Sequence, residues 1–405
     1  MPKRFPPGFW WGVSTSAHQV EGDNHNDWSE WEHRNAKILA RHGGDYPGAR
    51  DPANYISGKA ADHFHHYAAD LDLAQNIGIN AYRFSVEWSR IEPREGEFDQ
   101  AALEHYRKVA RAAKARGLEP FVCLWHWTLP PWLANRGGWR KQSTIRSYMR
   151  FTKVVVDALG PEVKYWVTLN EPEVYAENVY QTGRWLARRR NGFLYVWALR
   201  NLATAHKRAY KIIKSSYPGA WVGMAKHNIY FEPANRRRIN KIIVWYSNRF
   251  WNHQFITWVK RQIDFVGLNY YFHSRLNLWR SQNQNERTSD MGWELYPKGI
   301  YHLVKDLAKT YRKPIIITEH GVADAADQNR AWYIEESLRY LHKAIEEGAD
   351  VRGYFHWSLL DNFEWDSGFW PRFGLVAVDY KTQKRTVRPS AKHLSKIIKS
   401  GHVPD

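Results

Sequence analysis

Glu171 and Glu319 each close a strongly apolar stretch, in VTLNEP and IIITEHG. One glutamate in such a place reads as a loop charge. Two, if the fold brings them to one face, can flank a glycosidic bond and act as nucleophile and proton donor, provided their surroundings separate their pKa values. Other polar residues end apolar runs in the same way: Gln19, Arg83, His126, Asn170, Asn269 with Tyr271, His320, and the stretch from Trp357 to Trp365. Trp88, Trp125, Trp127, Trp357 and Trp365 accompany them. Sugar hydroxyls need paired donors and acceptors, while the C–H faces of a sugar ring need aromatic platforms. The 22 Trp, 23 Tyr and 17 Phe supply such platforms in excess. The residue types point to a carbohydrate-active enzyme.

What must position these residues is a recurring helix-then-strand unit. The stretch from Ser57 to Ile77 reads as a helix that ends at Gly78 and passes into INAYRFSV. Leu103, Tyr106, Val109, Ala110 and Ala113 mark one buried helix face, which stops near Gly117 before LEPFVCLW. Glycine ends helices well because it accepts the left-handed conformation. FWWGVST, VKYWVTLN, AWVGMAK, DFVGLNYY, PIIITEH and VRGYFHWS are the remaining strand candidates, and Ile334, Leu338, Leu341 and Ile345 mark a helix between the last two. Eight apolar strands separated mostly by helices imply a parallel sheet covered on its faces, and in 405 residues favour one closed (β/α)8 barrel, a TIM barrel, spanning residues 1–405 with loop insertions at its C-terminal face. In such a barrel functional side chains gather at the C-terminal strand ends. No Gly-rich phosphate loop follows the first strand, which disfavours a dinucleotide-binding sheet.

Composition excludes several classes. Hydrophobic residues at 43 % and charged residues at 25 % are globular proportions. A single cysteine, Cys123, excludes an intrachain disulfide framework and a Cys-based metal centre, and reads as an inert core thiol. His63, His65 and His66 lie on a helix without an open-site metal motif and read as a helix face. The expectation is therefore no metal and no cofactor. The net charge of +18 includes two basic runs, Arg184 to Arg190 and Asn235 to Lys241, with the remaining excess read as spread along the chain. Neither run sits in a nucleic-acid motif, so specific nucleic-acid binding is not expected. No run of 18 apolar residues occurs, so neither a membrane span nor a membrane partner is expected. The start, MPKRFPPGFWWG, has no apolar run before Pro6, so no secretory signal is expected and a cytoplasmic location is. Oligomeric state is left open.

The motifs carry a resemblance. FPPGFWWGVSTSAHQVEG, AYRFSVEWSRIEP, LWHWTLPPWL, VTLNEP, FVGLNYY, DMGWELYPKGIY, ITEHG and GYFHWSLLDNFEW…RFGLVAVDY occur in an order that resembles glycoside hydrolase family one, the β-glucosidase and β-galactosidase family, from end to end. The resemblance implies retaining hydrolysis of terminal β-D-glucosyl residues, with β-D-galactosyl or β-D-fucosyl residues also accepted, from oligosaccharides such as cellobiose or from other small β-glycosides. Glu171 would be the general acid/base and Glu319 the nucleophile, with carboxyl groups about 5–5.5 Å apart. Asn170 would bond the sugar 2-hydroxyl, Arg83 and Tyr271 would hold Glu319 ionised and oriented, and Asn269 would support the site. Gln19, His126, Trp127, Glu364 and Trp365 would bind the glycone, with Trp357 as platform, and Trp293 would face the leaving group. Glu364, as a carboxylate, would repel a 6-phosphorylated sugar.

The chain departs from the family pattern in four places. His320 stands where the family usually has Asn, which is expected to alter hydrogen bonding or pH response around Glu319. Thr128 replaces the usual Asp with little expected catalytic effect. The stretch between Val222 and Asp264 is short, and Gln181 to Asn191 is basic where relatives carry Gly and Pro. These changes put the outer wall of the pocket, and hence leaving-group preference, in question. A sugar-binding member of the same fold without catalysis is the alternative.

Overall fold

The computed structural model describes residues 3–186 and 190–404. Eight strands close into a barrel: β1 (Trp10–Ser14), β2 (Ala81–Ser85), β3 (Glu119–Cys123), β4 (Tyr165–Asn170), β5 (Trp221–His227), β6 (Val266–Tyr270), β7 (Ile315–His320) and β8 (Val351–Trp357). They follow one another around the barrel in chain order, and every neighbouring pair is parallel. Each of the eight strand candidates contributes one stave.

Inside, residues from several staves fill the lower barrel: Ala81, Phe121, Cys123, Val167, Ala225, Phe265, Ile316 and Phe355. Gly12 is required there, because a Cβ at that position would lie 2.2 Å from the Phe355 ring. Cys123 is buried; its thiol donates to the Trp125 carbonyl at 3.3 Å, and burial pushes it up to about 11. It is a core residue.

The helices are α1 (Asp27–Arg41), α2 (His63–Ile77), α3 (Gln100–Ala115), α4 (Gln142–Leu159), α5 (Gly192–Ser216), α6 (Arg238–Ser247), α7 (Lys298–Tyr311), α8 (Arg330–Glu346) and α9 (Pro389–Ser400); most of them ring the barrel, whereas α1 packs on the turns Pro52–Tyr55 and Trp365–Ser367 and α6 on the short strands Tyr230–Pro233 and His273–Asn277. Helix α3 shows why these form. Asp99 caps its N-terminus by accepting from the amides of Ala101 and Ala102, and Leu103, Tyr106, Val109, Ala110 and Ala113 are its buried face. Gly117 then takes φ +73°, a left-handed turn that sends the chain into β3. On α8, Ile334, Leu338 and Leu341 are buried as expected, and Ile345 is half-buried.

Helix α2 starts later than the sequence suggests. Residues 57–62 form turns, with Ala60 and Asp62 in the left-handed region, so the helix begins at His63. Its histidines separate. His63 is buried between Asp70 and the Tyr82 hydroxyl, both at 2.8 Å, whereas His65 and His66 are exposed beside Asp62. Among the described residues no group of three or more His, Cys, Asp or Glu is arranged to hold a metal ion.

Two irregularities prepare the site. The β4–β5 ladder slips between Val167 and Asn170, and the β7–β6 ladder slips between Ile317 and Glu319. A bulge re-aims the side chains that follow it. Both slips immediately precede a glutamate singled out above.

Candidate active site

Glu171 and Glu319 meet in one cavity of about 470 Å³ at the C-terminal end of the barrel. Gln19, His126, Trp127, Asn170, Tyr271, Trp293, Trp357, Glu364 and Trp365 line the same cavity. Arg83 and Asn269 lie buried among the strand ends and bond to its two carboxyl groups.

The backbone of Glu171 turns sharply. Its φ of +41° is left-handed, and its amide donates to the Ala225 carbonyl of β5 at 2.9 Å. Pro172 then opens a short helix, Pro172–Ala176. Trp127 (φ +78°) and Trp365 (φ +53°) are also left-handed. Non-glycine residues adopt this region only where the surroundings enforce it, and such positions cluster at functional sites.

A chain of hydrogen bonds joins the two carboxyl groups. Arg83 donates from Nη1 to Glu319 Oε1 and from Nη2 to Asn170 Oδ1 at 2.7 Å. Asn269 Nδ2 donates to Asn170 Oδ1 at 3.3 Å and to Glu171 Oε1 at 2.8 Å. Tyr271 donates its hydroxyl to Glu319 Oε2 at 2.7 Å, so both oxygens of Glu319 are held. Thr318 Oγ1 donates to Asn269 Oδ1 at 2.6 Å and fixes which way that amide faces. The β-barrel register sets Asn269 opposite Glu319 on neighbouring staves, so the network follows from strand alignment.

The electrostatics differ at the two ends of this chain. Burial, then the negative charge of Glu319, pushes the Glu171 carboxyl well above its ordinary range, against the opposing hydrogen bond from Asn269. That shift favours the protonated carboxyl at Glu171. Burial alone would pull the Arg83 guanidinium down, but the charge and hydrogen bond of Glu319, together with Cys123 and Tyr271, hold Arg83 above its ordinary value. Burial and the charge of Glu319 raise Tyr271, which stays a hydroxyl donor.

The closed end of the cavity is built from Gln19, His126, Trp357 and Glu364. Gln19 Nε2 donates to the Phe363 carbonyl at 2.9 Å and to Glu364 Oε2 at 3.3 Å, and Asn362 Nδ2 donates to the same oxygen at 2.7 Å. Asn170 Nδ2 donates to His126 Nε2 at 3.0 Å, which assigns the proton to Nδ1. That Nδ1 is buried and has no hydrogen-bond partner among the described residues. The rings of His126 and Trp357 stack at 5.9 Å, and Trp127 meets Trp365 at 4.7 Å. At the open end Trp293 packs on Phe272 at 5.0 Å.

The model of glycosyl hydrolase family 1 matches residues 1–262 and 248–403. The chain belongs to this family. It is similar to Beta-glucosidase A of Thermotoga maritima, 31 % identical over 456 aligned positions that cover 100 % of this chain and 99 % of the relative. That alignment exceeds the 405 residues present, as expected of a shortened member. The solved structure of the Thermotoga maritima beta-glucosidase in complex with glucoimidazole superposes with a TM-score of 0.91 at 30 % identity, covering 99 % of this chain and 100 % of that one. A beta-glycosidase from Pyrococcus horikoshii superposes with a TM-score of 0.90 at 34 % identity, covering 100 % and 97 %. The chain is an enzyme of the glycosidase class.

In this family 1 glycosidase two expectations need correction. His320 does not act on Glu319. Its side chain leaves the barrel on the helix side, bonds the Tyr354 hydroxyl at 2.9 Å and stacks on Tyr333 of α8 at 4.7 Å. Burial pulls it down to about 3, so it is a neutral core histidine. Glu364, half-buried at the cavity wall, is not held as an ordinary carboxylate: desolvation pushes it up to about 8, against the hydrogen bond from Asn362, which favours its protonated form. Thr128 is structural: it donates to the Glu87 carboxylate at 3.0–3.1 Å.

Sequence reasoning missed several residues of the site. Thr318 precedes the nucleophile candidate inside an apolar run, and its role depends on the bulge. Lys226 is buried at the end of β5, with Nζ 2.5 Å from the His227 carbonyl and 3.4 Å from Glu173, and burial lowers its pKa. A lysine closing an apolar strand was signal enough to find it. Trp185, Phe272 and Phe373 line the outer cavity from loops whose positions no periodicity encodes, and Trp251 lines it from the helical turn Asn248–His253. Arg184, also lining, donates to Asp366. Of the basic run from Arg184 to Arg190, residues 187–189 lie outside the described residues.

Proposed function

We propose that this chain is a retaining β-glucosidase that removes terminal non-reducing β-D-glucosyl residues, and accepts β-D-galactosyl or β-D-fucosyl residues, through a covalent glycosyl-enzyme. The observation that carries the reading is the hydrogen-bonded chain that joins Glu171 to a doubly held Glu319 across one aromatic cavity.

In the first step Glu319 attacks the anomeric carbon and forms an ester. Glu171 gives its proton to the departing oxygen, so the leaving group departs as a neutral alcohol. In the second step Glu171, now a carboxylate, takes a proton from water, whose oxygen attacks the same carbon and releases Glu319. Once the ester neutralises Glu319, a principal cause of the raised Glu171 pKa is gone, which suits Glu171 to act as base. Asn170 and the free Nδ1–H of His126 are available to sugar hydroxyls, and Trp357 offers a face to the ring. Among the described residues lining the cavity the one lysine or arginine is Arg184, which Asp366 already engages, so no unengaged cation there would meet a phosphate, and the Glu319 carboxylate would oppose one. That balance favours an uncharged sugar over a phosphorylated one. The choice of glucose as main glycone is supported by the relatives' names.

The test is trapping with an activated 2-deoxy-2-fluoro β-glucoside, followed by intact-mass and peptide mapping. One adduct on Glu319 is the expected result. An adduct on another carboxylate overturns the assignment, and no adduct with either the gluco or the galacto reagent overturns retaining catalysis.

A further inference from the structure

The positive charge of this chain is not spread out, contrary to the sequence expectation. The 86 residues from Asn178 to Ile263 hold 17 Lys and Arg against a single acid, Glu232, and so account for sixteen of the eighteen net charges. The same segment carries an unusual surface. On α6 and the turn after it, Ile239, Ile242, Trp245, Tyr246 and Phe250 are exposed, Trp245 at 60 %. Ile239, Ile242 and Tyr246 recur at helical spacing, so they form a stripe that faces outward, the reverse of a core-packing helix. Arg238 and Lys241 flank the stripe, with Arg236 and Arg237 just before it and Arg249 just after; all five are exposed, and none has a carboxylate within salt-bridge distance among the described residues.

Two neighbours extend the patch. At the start of α5, Phe193 is 75 % exposed and Val196 is exposed beside it, and Tyr195 brings this turn against Phe250 at 6.2 Å. On the other side, Asn240 of α6 accepts from the amide of Leu278 at 2.7 Å, which fixes the hairpin tip bearing exposed Leu278 and Trp279. Nine of the eleven large exposed apolar side chains among the described residues fall in this one region. Contiguous exposed apolar patches mark interaction surfaces. Trp251, next to Phe250, lines the active-site cavity, so the patch borders its mouth.

We propose that this face is a peripheral docking surface for an anionic lipid bilayer. An outward stripe of Ile, Trp, Tyr and Phe ringed by arginines matches an interfacial helix, whose apolar side enters the headgroup region while its cations meet lipid phosphates. Trp and Tyr are favoured at that interface. A second copy of the chain is the poorer occupant, because face-to-face packing would oppose the same cation-rich segment with itself. A nucleic acid would satisfy the arginines but leave the aliphatic stripe exposed to water. No described helix is long and apolar enough to cross a membrane, so the contact is at the surface. This revises the expectation of no membrane partner, and it does not depend on which β-glycoside is hydrolysed.

The experiment is vesicle co-sedimentation of the full chain with phosphatidylglycerol–phosphatidylcholine vesicles and with phosphatidylcholine alone, at 50 mM and 500 mM NaCl. Two variants accompany it, I239S/I242S/Y246S and R236Q/R237Q/R238Q, each checked for parental melting and parental hydrolysis of a soluble aryl β-glucoside. The expected result is partitioning onto anionic vesicles at low salt that falls roughly tenfold or more with neutral lipid, with high salt, or in either variant. Equal binding by parent and both variants overturns the proposal. So does absence of binding to anionic vesicles at low salt, whether the patch then proves to hold a dimer that sedimentation velocity shows I239S/I242S/Y246S dissolving, or a DNA duplex that R236Q/R237Q/R238Q releases.

Discussion

The closed and open ends of the cavity are built by different rules. At the closed end Arg83, Asn170, Asn269 and Glu319 stand on barrel staves and are buried, and Gln19, His126 and Glu364 on the connections after them are tied to their neighbours; Asn170 alone touches Arg83, Asn269, His126 and, through its carbonyl, Trp127. At the open end Trp185, Trp251, Phe272 and Phe373 come from connections, and Arg184 reaches in from a basic loop. The first end is fixed by strand register and hydrogen bonding, the second by loops that register does not constrain. Chemistry common to a family belongs on the first and leaving-group preference on the second.

Four substitutions would break or sharpen this contrast. Glu319→Gln removes the proposed nucleophile, and turnover of an aryl β-glucoside should fall by about 10⁵-fold or more with the fold intact by melting and circular dichroism. Glu171→Ala should slow substrates with poor leaving groups by about 10²–10⁴-fold while sparing glycosylation by substrates whose leaving groups need no proton. Equal slowing of both would remove Glu171 from the acid role. The alkaline limb of the parent's rate profile should vanish in this variant, because activity falls as pH rises through the raised pKa of Glu171. At the open end, Trp251→Ala should shift KM for bulky leaving groups by less than about tenfold and leave the trapping rate of a small 2-fluoro glucoside unchanged, since lost stacking costs only about 1 kcal/mol. A fall in the trapping rate would erase the division between the two ends.

The smallest effect is on stability. Glu364 sits at about 8 in the folded protein, above the unfolded value near 4.3. The folded state therefore holds the extra proton between these values, and its contribution to stability is full below about pH 4 and is lost as pH rises through 8. Glu364→Gln should melt like the parent at pH 5 and a few degrees higher, roughly 2–4 °C, at pH 9. Identical melting at both pH values would mean that the carboxyl is not penalised by burial.

The contrast also explains what could be read from the sequence. Each stave was visible as a short apolar run, because strands buried on both faces must be apolar throughout. Glu171, Glu319, Arg83, Asn170, Asn269 and Tyr271 were visible because strand ends are where a barrel exposes chemistry. What was not visible depends on three-dimensional detail. Glu319 and His320 are adjacent in sequence, but the pleat sends the first into the cavity and the second out against Tyr333, so a change next to Glu319 lands in another layer. Thr318 acquired a role through a register slip that no residue pattern announces. The raised pKa of Glu364 follows from desolvation at the cavity wall, whereas residue type alone suggests an ordinary carboxylate. The exposed stripe on α6 has helical periodicity, and periodicity cannot tell an inward face from an outward one.

The left-handed turn at Glu171 has a consequence for inheritance. A non-glycine residue in that conformation costs roughly 1 kcal/mol that glycine would not, and this side chain is also an acid kept out of water. Replacing it with glycine would therefore relax the backbone and lift a desolvation penalty while ending proton donation. Selection for a sturdy fold alone would favour that replacement; only selection for turnover retains the glutamate. Descendants released from catalysis would have an easy downhill path, and silent members of such a lineage should be sought among the more heat-resistant chains rather than the failing ones.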